Sequence, residues 1–134
     1  MRFSRRVTAL LAVPVLGALT ILSVTGTQSA RAFPDDQLAR GEKVWNDVCS
    51  TCHGPDSTNN DAPLLLNTGT LTNYPNALEA VLYAKDNMPD DNPGSLPEQN
   101  YWDAMAFILT KQGINGGLAP LSPDSAAAIP LAKP

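Results

Sequence analysis

Cys49-Ser50-Thr51-Cys52-His53 concentrates the chemistry of this chain in five residues. Two thiols followed at once by an imidazole make the C-x-x-C-H pattern through which haem is attached covalently. Each thiol can add to a vinyl group of the porphyrin, and the histidine is then held beneath the iron as an axial ligand. The sequence contains two cysteines and one histidine, and all three fall in this segment.

Plainer readings of the same residues compete with it. A redox-active C-x-x-C is expected beside a strand-helix-strand pattern, and no such alternation flanks Cys49. A tetrahedral zinc site takes four ligands, usually Cys and His, and the chain has no others to offer. A disulfide between Cys49 and Cys52 would close a very small loop and constrain little of the unfolded chain. Covalent haem attachment is the reading that uses all three residues.

Helices are predicted on both sides of the motif. The first runs from about Asp36 to Val48, with Asp35 or Asp36 as a cap and Leu38, Gly41, Val44, Trp45 and Val48 at helical spacing, so that it delivers Cys49 at its end. The second runs from about Pro75 to Asp86, with Pro in the first turn and Leu78, Val81 and Leu82 as its apolar face. The third runs from about Pro97 to Gln112, after a Ser95-x-x-Glu98 capping box and before Gly113 as a stop. No strand pattern competes, so the expected fold class is all-α. Between the first two helices, residues 54–72 are rich in Gly, Pro, Asp, Ser, Asn and Thr. A loop of that length needs a function, and wrapping a cofactor supplies one. A large apolar disc would also help a domain this small to fill its core.

The N-terminus points to export. Arg2, Arg5 and Arg6 precede a largely apolar run from Val7 to Val24, and Ala30-Arg31-Ala32 fits a small-residue processing site. The expected division is therefore a signal peptide at 1–32 and a single domain at 33–134, with 114–134 as a Pro/Ala-rich C-terminal arm. An uncleaved membrane anchor is the alternative, weakened by Pro14, Gly17 and several threonines. Residues 33–134 hold five basic against 13 acidic side chains, a formal charge of −8. That balance disfavours nucleic acid, which needs a basic stripe, and suits a partner with a basic docking surface.

Helix, C-x-x-C-H, long loop, helix, Met88-Pro89 and an aromatic-rich last helix together resemble a class I cytochrome c, from Asp36 to Gly113. The resemblance implies a cytochrome c-like fold of about three main helices around one covalently bound haem c. It also implies that Gly41 and Trp45 meet the last helix, with Phe107 as the matching aromatic. In that family a proline after the motif offers its carbonyl to the haem histidine; Ala62-Pro63-Leu64 matches, with Pro55 as the nearer rival and Ser57-Thr58-Asn59-Asn60-Asp61 replacing the usual Gly-rich approach.

With His53 as one axial ligand, a thioether is the leading second ligand. Met88, followed by Pro89, matches the family's Met-Pro. Met105, amid apolar neighbours in the last helix, is the alternative. The resemblance and the export signal thus imply a periplasmic one-electron carrier serving a redox donor and acceptor, expected to be a monomer; with no paired carboxylates, Ser-His pair or phosphate-binding Gly loop in the sequence, it is not expected to be an enzyme. The region Pro89 to Gly116 and the tail from Leu121 to Leu131 are similar to cytochromes that take electrons from quinoprotein dehydrogenases, with a terminal oxidase or another cytochrome as acceptor. The alternatives are a tethered subunit of a dehydrogenase or respiratory complex, and a gas-binding or peroxidatic haem protein should no Met reach the iron.

Overall fold

A run of helix from Asp35 to His53 carries the thiol motif, and one irregularity divides it. The computed structural model describes residues 33–58, 62–66 and 69–132. Its helices are α1 (Asp35–Val44), α2 (Ser50–His53), α3 (Ala77–Asn87), α4 (Glu98–Lys111) and α5 (Pro123–Ala126). A π-helical turn (Trp45–Cys49) joins α1 to α2, and a 3-10 turn (Thr70–Asn73) precedes α3. Among the described residues no strand is present beyond an isolated bridge between Asn76 and Pro130. The architecture is all-α, as expected from the sequence. The segment 1–32, read as a signal peptide, lies outside the described residues. Among those described, no helix is long and apolar enough to cross a membrane.

The helix ends differ in detail from the sequence expectation. Pro34, not an aspartate, stands at the N-cap of α1, leaving Asp35 and Asp36 in the first turn, where negative charge favours the helix dipole. α3 begins after Asn76, whose side chain accepts the Glu79 amide at 3.1 Å, so Pro75 lies outside the helix. The expected capping box at α4 does not form. Its N-cap is Pro97 without a side-chain bond, and the Ser95 amide instead donates to Asn92 within the preceding loop. Gly113, with φ of +75°, does end α4, and the Ile114 amide reaches back to the Leu109 carbonyl.

α1 and α4 form the main packing pair, and Gly41 sets their separation. A methyl group at Gly41 would stand 2.7 Å from the Asp103 carbonyl carbon and 2.9 Å from Phe107 Cβ. Beside this crossing the rings of Trp45 and Phe107 lie 6.3 Å apart, both buried. Burying such side chains contributes on the order of 1.5–3 kcal/mol each.

A polar cluster crosses the same interface. Asp103, 1 % exposed, accepts from Gln37 (3.1 Å), Gln99 (2.8 Å) and Arg40 (2.7 and 3.2 Å). Gln37, equally buried, also donates to the Leu121 carbonyl (3.0 Å) and accepts the Leu121 amide (2.7 Å). Among the described residues, every buried side-chain nitrogen and oxygen has a hydrogen-bond partner.

The arm folds back onto the domain. Leu121, Ala126, Ile129 and Leu131 are buried with the core. The Ile129 carbonyl accepts the Ala77 amide at 2.9 Å, and the Leu131 amide donates to Pro75 at 3.2 Å, so the arm meets the start of α3. Ser122 caps α5 through a reciprocal pair with Ser125, and the helix stops at Ala126, before Pro130.

Candidate functional site

The π turn exists because one residue too many occupies the helix. The Ser50 amide bonds to the Trp45 carbonyl five residues back rather than four. The extra residue advances the angular position of everything downstream by roughly 100°. Upstream, Gly41, Val44 and Trp45 are buried, with Gly41 and Trp45 against α4; downstream of the shift, Cys49, Cys52 and His53 line a cavity of about 680 Å³. Pro63, Met88 and Met105 line the same cavity, so the structure brings together all the candidate site residues read from the sequence.

Each has a distinct setting. Cys49 is partly buried and Cys52 exposed. Burial pushes the Cys49 thiol up to about 11, the opposite of the lowered value that marks a redox-reactive C-x-x-C. His53 is buried, and its Nδ1 lies 2.8 Å from the Pro63 carbonyl oxygen. A carbonyl can only accept, so Nδ1 carries the proton and Nε2 is left with its lone pair. Pro55, the nearer alternative, is engaged elsewhere: its carbonyl accepts the Trp45 indole N–H at 2.9 Å. Trp45 also faces His53 across 6.0 Å between ring centroids.

The backbone that presents the Pro63 carbonyl is held on both sides. Ser57, with φ of +55° and a buried side chain, accepts the Leu65 amide through its hydroxyl. The Gln112 side chain, from the end of α4, donates to the Leu65 carbonyl. Neither residue stood out in the sequence, because both bonds join positions that only the folded chain brings together. Asn59, Asn60 and Asp61 of the intervening loop lie outside the described residues.

The two methionines come from different surroundings. Met88 follows α3 and is half-buried, whereas Met105 sits in the middle of α4, 5 % exposed. Tyr101, Ala104, Met105 and Ile108, at spacings of three, four and seven, give α4 one continuous wall along the cavity. The lining is largely apolar, and two thiols, one imidazole and two thioethers are part of it. That donor set and volume fit a haem held through Cys49 and Cys52.

A model of the family described as cytochrome C oxidase, cbb3-type, subunit III matches residues 36–108. Among solved structures, the crystal structure of the sulfane dehydrogenase SoxCD from Paracoccus pantotrophus aligns with 25% identity and a TM-score of 0.48. The alignment covers 64% of this chain and 48% of that one, so this chain matches about half the length of that relative. No curated protein matches the chain.

Proposed function

The chain belongs to the family of cytochrome c oxidase, cbb3-type, subunit III, whose domain carries covalent haem c and transfers electrons to and from redox partners, and from that membership we propose a periplasmic one-electron carrier with His53 and Met88 as axial ligands. Cys49 and Cys52 are the attachment residues in this reading. The haem, when bound, supplies a one-electron redox centre whose potential Met/His ligation raises.

The chain's own residues keep that centre fixed. Pro63 orients His53, and Ser57 and Gln112 fix the segment bearing Pro63, so the imidazole needs no rearrangement as charge changes. Met88 is favoured over Met105 by its place. It is half-buried in the loop after α3 and lines the cavity, while Met105 belongs to the packed wall of α4. Were haem held with both His53 and Met88 as ligands, no position on its iron would remain for a substrate, which suits electron transfer. The single observation that carries the proposal is His53, oriented through Nδ1, sharing one apolar cavity with two thiols and Met88.

Met88→Ala in the exported, haem-loaded protein tests it. The near-infrared sulfur-to-iron band should vanish in the ferric form, and the ferrous form should bind carbon monoxide that the parent ignores. Survival of the band in Met88→Ala, with loss in Met105→Ala, would transfer the ligand to α4. A parent that already binds carbon monoxide would instead favour a gas-binding protein.

Residues 1–32 act, in this reading, as a cleaved signal peptide, leaving a monomer of formal charge −8. Its partners then present basic surfaces: a dehydrogenase as donor, a quinoprotein among the candidates, and an oxidase or second cytochrome as acceptor. The bimolecular rate with a basic redox protein should fall about tenfold or more as ionic strength rises from about 0.01 to about 0.15 M. A rate indifferent to salt in stopped-flow mixing would remove the electrostatic docking argument.

A further inference from the structure

The loop that carries Met88 runs from the end of α3 to the start of α4, and a single hydroxyl joins its two ends. Tyr101 Oη donates to the Met88 carbonyl at 2.8 Å and accepts the Leu96 amide at 3.3 Å. The Gly94 amide adds a second bond to the Met88 carbonyl at 3.2 Å, with Gly94 at φ of +73°. Tyr101 itself is 4 % exposed, and its side chain belongs to the cavity wall formed by α4.

We propose that Tyr101 is a positioning residue for the axial methionine: its hydroxyl closes the 88–96 loop and opposes departure of Met88 from the metal. The inference rests on Met88 being the ligand. The Met88 thioether has two ways to leave, rotation about its own side-chain bonds or a shift of the loop backbone, and the bond from Tyr101 to the Met88 carbonyl opposes the second. The hydroxyl thus weights the equilibrium between ligated and open forms. An external ligand that binds only the open form experiences an affinity reduced by the fraction of time that form exists.

Tyr101→Phe keeps the ring and its packing and removes only the staple. In the ferric holoprotein its apparent affinity for imidazole should rise about fivefold, the factor that corresponds to one net hydrogen bond. Ile129→Val, which removes a methylene from core that does not line the cavity, controls for general loosening and should leave imidazole affinity unchanged. Unchanged affinity in Tyr101→Phe, or an equal rise in both variants, overturns the role of Tyr101. Loss of the near-infrared band in Met88→Ala keeps either result separate from the ligand assignment, and persistence of the band there overturns both.

Discussion

Gly41→Ala is expected to destabilise the haem-loaded protein by about 3 kcal/mol or more, read as a fall of roughly 12 °C or more in its thermal midpoint. The added methyl would meet the backbone of Asp103 and Cβ of Phe107, atoms that no side-chain rotation can move. Ala favours a helix over Gly by about 1 kcal/mol, which is too little to offset the clash. α1 must therefore retreat from α4, and Trp45 with it, away from Phe107 and from the Pro55 carbonyl. Circular dichroism melts provide the check. A midpoint within about 2 °C of the parent would mean that the helix crossing has slack the geometry does not suggest.

Asp103→Ala is the second large effect, a loss of about 3 kcal/mol. The substitution deprives Gln37, Gln99 and Arg40 of their shared acceptor, and Gln37 is too deeply buried to reach water instead. Arg40 is half exposed and can turn to solvent, which limits its share of the cost. Acid titration gives an independent reading. Burial alone would raise the Asp103 carboxyl, but hydrogen bonds from Arg40, Gln99 and Gln37 outweigh it and hold the group below its ordinary value. A carboxyl lowered by folding contributes stability that is complete above its unfolded value, about 3.9, and is lost as pH falls through the folded one. Asp103→Asn should therefore be less stable at neutral pH and show a shallower decline on acidification. Parallel acid-unfolding curves for parent and variant would count against this account.

Much of this fold was legible because the informative residues act locally or by a strict motif. Cys49, Cys52 and His53 fall within five residues of one another. Gly41 and Trp45 lie one turn apart, and Gly113 ends a helix by its own conformation. Legibility declined where partners are distant. Gln37 and Asp103 are separated by 66 positions and Gln112 and Leu65 by 47, and no periodicity announces such pairs. The Ser95-Glu98 pattern has the composition of a capping box, yet the loop uses the Ser95 amide for its own closure. The arm looked like a terminal extension because its prolines and glycines break any helical or strand period; Leu121, Ile129 and Leu131 are nonetheless buried in the core.

The π turn at Trp45–Cys49 makes this helix a crankshaft with two throws. One throw is keyed to the neighbouring helix and the other to the prosthetic group, and the surplus residue sets the angle between them. Loss of one residue from the turn would not merely shorten the rod; it would swing the anchors off their bearing while leaving the far end seated.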